Sequence, residues 1–122
     1  MGRRRWREYR TVTGSRPLRD FFLALTREEA EEVSAAMKHV ALEGLAVARH
    51  LRGEVYEVRA EGRTRSFRIL FATEGRRGQV LLGLSAFVKK SQRTPPREIE
   101  LAELRLADWR RRRRLPPPRV LH

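Results

Sequence analysis

An α+β domain is what this 122-residue chain predicts, on three observations. A capping box followed by an apolar stripe at helical spacing marks a long helix in the first half. Three β-branched or aromatic segments follow, separated by turns too short for a crossover. A Thr-Pro-Pro step then opens a last amphipathic helix. The length fits one domain. With 40% hydrophobic residues, the chain holds enough apolar material for a core, unlike a basic disordered segment.

Residues 6–12 are aromatic and β-branched and stop before Gly14, which suits a first strand. Ser15 is placed to cap a helix over 17–25, where Leu18, Phe21, Phe22 and Leu25 share a face. Thr26-Arg27-Glu28-Glu29 is the capping box of the next helix, with Ala30, Val33, Met37 and Val40 as its stripe and Gly44 as its stop. Strands follow at 55–59, ended by Glu61-Gly62, and at 66–71, ended within 74–78. The third, 80–88, is nearly all apolar, like a central strand covered on both faces. Turns this short make neighbours antiparallel. After Thr94-Pro95-Pro96 the last helix aligns Ile99, Ala102, Leu106 and Trp109; residues 110–114 extend or fray it, and Pro116-Pro117-Pro118 end it. No internal repeat is present.

Charge divides the chain further. There are 28 Lys and Arg against 15 Asp and Glu, a formal charge of +13. Nine Arg and no acid lie in 1–5 and 110–122, read as a basic N-terminal arm and an Arg/Pro-rich tail, both flexible; the domain between them, 6–109, carries +4. Within it, 17–48 sums to −3 and 49–97 to +8. Such segregation reads as a surface for a polyanion. Codon usage in a GC-rich genome explains the preference for Arg over Lys equally well, but not the segregation. Without cysteine there are no disulfides, thiolate zinc sites or Cys nucleophiles, and His39, His50 and His122 are too scattered for a metal cluster. Metal-free, cofactor-free chemistry or pure binding remains. The longest apolar run, 80–88, is half a membrane span and the N-terminus has no apolar signal core, so a cytoplasmic protein with no membrane partner is expected.

The β-pleat sorts the candidate site residues. Tyr56 and Val58 point to a core while Glu57 and Arg59 point away, and Phe67, Ile69 and Phe71 oppose Arg68. Glu57, Arg59 and Arg68 then share one sheet face, with Lys89 and Lys90 arriving at the end of the last strand. A solvated face with cross-strand ion pairs accounts for this spacing as well as a site does.

Three ordered blocks carry a resemblance. Gly53-Glu54-Val55-Tyr56-Glu57-Val58-Arg59, Ser66-Phe67-Arg68-Ile69-Leu70-Phe71 and Phe87-Val88-Lys89-Lys90-Ser91-Gln92-Arg93-Thr94-Pro95 resemble the RelE/HigB toxin superfamily, nearest its phage-associated HigB-like branch. Trp6-Arg7-Glu8-Tyr9 and residues 16–22 resemble that group's opening, so the likeness spans roughly 6–109. The chain departs from the group in having Ser85-Ala86 where His-Gly is common, and Ser91 for Thr.

The resemblance implies a single RelE-like domain, β-α-α-β-β-β-α, with a small, mainly antiparallel sheet packed on helices. It implies the toxin of a type II toxin-antitoxin system, an endoribonuclease that cleaves mRNA on the ribosome. Metal-free cleavage uses the substrate's own 2′-hydroxyl and needs a proton acceptor and cations for the phosphorane charge. Glu57 is the expected acceptor, Arg59 and Arg68 the phosphate clamp, and Lys89 or Lys90 the partner of the leaving oxygen. Arg68 matches the superfamily's recurring arginine best; Arg59 and Lys89 match positively charged positions; Glu57 falls where RelE itself has Lys. Lys90, Arg65, Arg93 and Phe87 are expected to contact nucleic acid, Phe87 by stacking, although a strand Phe in an apolar run is more often core. The implied partners are mRNA, the ribosome and a helix-turn-helix antitoxin forming a hetero-oligomer. A ParE-like topoisomerase inhibitor, or a phage accessory protein that only grips nucleic acid, shares the fold and stays open.

Overall fold

The computed structural model describes residues 4–114. The elements run β1 (Arg5–Glu8), α1 (Pro17–Leu23), α2 (Arg27–Glu43), a 3-10 turn (Gly44–Val47), β2 (Arg49–Arg52), β3 (Val55–Glu61), β4 (Ser66–Glu74), β5 (Val80–Val88) and α3 (Pro96–Arg114). The five strands form one sheet in the order β1-β5-β4-β3-β2. β1 runs parallel to β5, and all other neighbours are antiparallel. The expected α+β class holds, with one strand more than the sequence indicated.

α2 forms where its start and stop signals place it. Thr26 accepts from the Glu29 backbone N–H at 3.1 Å and Glu29 returns a bond to the Thr26 N–H at 3.0 Å, closing the capping box. Gly44 ends the helix at φ 81°, a value that disfavours any side chain. α1 differs from expectation. It ends at Leu23, and its N-cap is Arg16 with no side-chain cap. Ser15 is held elsewhere: the Thr11 hydroxyl accepts from its N–H at 2.9 Å and its carbonyl accepts from the Thr11 N–H, closing a loop upstream of the helix. Pro17 opens α1 instead.

The sheet is covered on both faces. Val33 and Val40 of α2, with Phe21 and Phe22 of α1, pack against Val58, Ala60, Phe67, Ile69, Phe71 and Leu81. On the other face Ala102 and Leu106 of α3, with Ile99 and Trp109, pack against Val55, Leu70, Ala72, Leu82 and Leu84. The face for which the sequence left a solvated reading open therefore lies partly under α3. β5 carries a bulge: Leu70 pairs with Ser85 while Phe71 pairs with Gly83, so Leu84 is the extra residue. The bulge turns Leu84 and Ser85 toward α3 together, which simple alternation forbids. Gly83 lies against Leu18, and a Cβ there would collide with that side chain.

β2 is the strand the sequence did not signal. Arg49-His50-Leu51-Arg52 is polar, mostly exposed and at the sheet edge, so it has no apolar alternation to read. Residues 110–114, set with the tail by composition, continue α3, and Arg5 already belongs to β1. The flexibility expected for 1–3 and 115–122, the Pro116-Pro117-Pro118 stop and His122 lie outside the described residues. No helix among those described is long and apolar enough to cross a membrane.

Candidate functional site

Register assembles the site. Arg59 pairs with Arg68, and Arg68 with Phe87, so these three form a row across β3, β4 and β5 on the face that α3 covers; Glu57, Leu70 and Ser85 form the next row. Lys89 prolongs β5, donating its N–H to the Ser66 carbonyl at 2.8 Å. Two arginines directly opposite repel each other, so the pair needs anions. Glu57 supplies one: its Oε1 accepts from Arg59 Nε at 3.1 Å and lies 3.9 Å from Arg68 Nε. Glu61 supplies the other, 3.2 Å from Arg68 Nη1, which also donates to the Phe67 carbonyl at 2.9 Å. A side-chain hydrogen bond from Ser66, and then the charges of Arg68 and Lys89, hold the Glu61 carboxyl below the usual carboxylate value.

Glu57 itself is sealed. Its side chain is 0% exposed, and its second oxygen accepts from the Thr94 hydroxyl. The carboxylate faces the arginines as the pleat predicts, but from beneath the surface, so it is not presented to a substrate as the sequence reading expected. Arg68 is also buried, at 5% side-chain exposure. What little of it is exposed meets the opening between the end of β5, the 89–95 segment and the start of α3.

What does open to solvent is a cleft of about 260 Å³ between the end of β5, the 89–95 loop and the first turn of α3. Arg68, Phe87, Lys89, Lys90 and Arg93 all line it. Arg59 instead borders a second depression beside residues 46–49, at whose floor Glu57 lies with its side chain unexposed. Arg65 lies apart from both, forking Glu29 of α2 at 2.8 and 3.0 Å with its guanidinium 5.5 Å from the Phe67 ring centroid. That fork, helped by the Thr26 N–H, brings the Glu29 carboxyl down to about 2. Arg65 thus ties the start of β4 to the start of α2.

Of the cleft residues that were not singled out from sequence, Arg97, Glu98 and Thr94 bear on its chemistry. Arg97 and Glu98 enter from α3, and Glu98 is the one carboxylate in the lining among the described residues. It is half-buried, sits where the helix macrodipole favours an anion, and accepts from Ser85 Oγ at 3.1 Å. Thr94 lines the wall and latches Glu57. The sequence marks Glu98 only as a first-turn acid, and Ser85 meets it through a bulge that the pleat does not reveal. The described residues hold no group of three His, Asp or Glu side chains arranged to bind a metal ion.

The cleft is electrically one-sided, with five cations, Arg68, Lys89, Lys90, Arg93 and Arg97, around one carboxylate and one half-buried ring. Its cations suit a phosphodiester, and the carboxylate in the same lining is a group able to accept a proton from a hydroxyl beside that phosphate.

A family model described as Phage derived protein Gp49-like (DUF891) matches residues 20–107, which include every residue named in the cleft. No curated protein matches the chain. The chain belongs to the Gp49-like family, a phage-derived, toxin-like family within the RelE/HigB-like toxin superfamily.

Proposed function

We propose that this Gp49-like protein is the toxin of a toxin-antitoxin pair, of the HigB-like kind, and that its cleft cleaves messenger RNA on the ribosome in the cytoplasm. The observation that carries the reading is the convergence of five cations, Phe87 and the Glu98 carboxylate on one cleft. Unlike Glu57 and Glu61, which brace arginines from behind or from the side, Glu98 lines the cleft itself, where cleavage needs a proton acceptor.

The reaction uses the substrate's own nucleophile. Glu98 takes the proton of a 2′-hydroxyl, whose oxygen attacks the adjacent phosphorus. The bond from phosphorus to the 5′-oxygen breaks, leaving a 2′,3′-cyclic phosphate and a 5′-hydroxyl. Arg68, fixed from behind by Phe67, Glu57 and Glu61, meets the phosphoryl oxygens with donors already oriented. Lys89 and Lys90 neutralise the leaving oxygen, and a proton from one of these ammoniums ends on it. Phe87 stacks on a base and splays the backbone toward in-line attack. Ser85 orients Glu98, and Glu57 acts one step back, holding Arg59 and Arg68 in place. The acceptor role expected for Glu57 passes to Glu98 because the Glu57 side chain is unexposed and both its oxygens are engaged.

Restraint falls to a helix-turn-helix antitoxin in a hetero-oligomer. Acidic side chains laid over Lys89, Lys90 and Arg93, or displacement of α3, would close the site. Induction in a bacterium with mapping of RNA ends tests the function. New 5′-hydroxyl ends inside translated messages, absent when initiation is blocked, are expected. Growth arrest without new ends would instead indicate a ParE-like topoisomerase inhibitor.

A further inference from the structure

Residues 110–114, the last turn of α3, are all arginine, and the helix dipole does not account for five of them. Arg110 ties α3 to the sheet, forking Glu54 at 2.6 and 3.0 Å and reaching Glu74 at 2.9 Å. Arg111 and Arg112 share a single acid, Asp108, at 2.9 and 2.8 Å. Among the described residues no acid forms an ion pair with Arg113, Arg114, or the exposed Arg7 and Arg10 beside them. Like charges this close destabilise a helix end, so the array is held together against its own repulsion.

Two rings do the holding. The Arg7 and Arg113 guanidinium carbons lie 5.5 and 5.6 Å from the Trp109 ring centroid. Those of Arg105 and Arg112 lie 5.7 and 5.4 Å from the Tyr9 centroid. Arg112 also donates to the Arg10 carbonyl, which joins the end of α3 to the segment after β1. The Trp109 indole N–H is buried with no acceptor, so its faces rather than its polar edge serve the array. Arg7 and Arg113, each held beside the Trp109 ring and paired with no acid among the described residues, keep N–H donors that can meet a phosphate oxygen.

We propose that Arg7, Arg10, Arg111, Arg113 and Arg114 form a second nucleic-acid site that grips the phosphate backbone of a duplex without reading its sequence. Fifteen residues of helix separate Arg113 from Glu98, about 22 Å at 1.5 Å per residue, so this surface is distinct from the cleft. It also lies outside residues 20–107. A duplex fits better than a single strand because the two rings are already occupied by guanidiniums and core, leaving no platform on which bases could stack. A membrane surface fits poorly, because among the described residues the one exposed large apolar side chain near the array in sequence is Val12, while Leu101 and Leu104 lie about two turns or more before it on α3.

The site is tested by binding alone, independently of cleavage. Affinity of the full chain for a mixed-sequence DNA duplex of about 20 base pairs, chosen to exceed a single helical turn, is measured between low and moderate salt. Arg7→Gln/Arg113→Gln/Arg114→Gln is expected to bind at least tenfold more weakly, with the log-log salt slope reduced by about two to three. Arg10→Gln/Arg114→Gln touches neither ring, so it keeps the fold and should lower the slope by about one to two. Unchanged affinity and slope in this second variant would overturn the proposal. So would wild-type binding to anionic phospholipid vesicles but not to the duplex.

Discussion

Glu98→Gln and Glu57→Gln make a pair whose outcomes diverge. The Glu98 amide oxygen can still accept from Ser85, now at 3.1 Å, and the side chain is only half-buried, so the fold should lose no more than the first-turn charge contributes, about 0.3–1 kcal/mol. Chemistry should lose far more. A displaced general base costs about a hundredfold to ten-thousandfold, or roughly 3–5 kcal/mol of barrier. Glu57→Gln reverses the pattern. Its carboxylate is fully buried and braces Arg59, Arg68 and Thr94; removing that charge leaves the buried Arg68 with Glu61 alone. Breaking a buried pair costs about 3–5 kcal/mol, which for a domain of this size lowers the melting temperature by roughly 10–20 °C. Single-turnover cleavage of ribosome-bound message and thermal melting, measured on both variants, read the two effects separately. Wild-type cleavage by Glu98→Gln, together with a stable but inactive Glu57→Gln, would return the acceptor role to Glu57.

Arg68→Lys keeps the charge but loses the fork that reaches Phe67, Glu61 and the cleft, so cleavage should fall at least tenfold with RNA affinity nearly kept; equal loss of both would mean a binding role only. Arg68→Ala is a poorer probe, because it strands two carboxylates and should lower the melting temperature. The Glu29 carboxyl titrates at about 2 rather than 4.5, so its fork with Arg65 stabilises the fold fully above the ordinary carboxylate range. That contribution is lost as pH falls from about 4.5 toward 2, and Arg65→Gln should flatten the acid limb of a stability-against-pH curve. Gly83→Ala drives a methyl into Leu18 and should cost about 1–3 kcal/mol by denaturant titration; a neutral result would mean that α1 shifts freely on β5.

What the sequence made legible was local. The Thr26–Glu29 box and the stripe behind it carry their own start, face and stop, so α2 could be read almost residue by residue. Alternation correctly put Glu57, Arg59 and Arg68 on one face, because the pleat is a backbone property. Burial was not legible. Nothing in 55–71 says that α3 returns over that face, and without it Glu57 reads as a presented base rather than a sealed brace. The Ser85–Glu98 contact depends on a one-residue bulge in a uniformly apolar strand, where slipping the register leaves no trace in hydropathy. β2 was missed because an exposed edge strand is defined by its hydrogen bonds to β3 and not by its side chains. Arg65 sits one residue before a core-facing strand, and only the α2 packing shows that it turns toward Glu29.

A single 2′-deoxy substitution at the scissile nucleotide of a ribosome-bound message probes the proposed chemistry more closely than any variant of the protein, when product ends are identified against the all-ribose message. The all-ribose message should be cut to a 2′,3′-cyclic phosphate and a 5′-hydroxyl, and the 2′-deoxy message should bind equally and remain whole. Cleavage at the deoxy position, 5′-phosphate ends, or an uncut all-ribose message would contradict the assignment of this cleft as a 2′-hydroxyl-dependent ribonuclease.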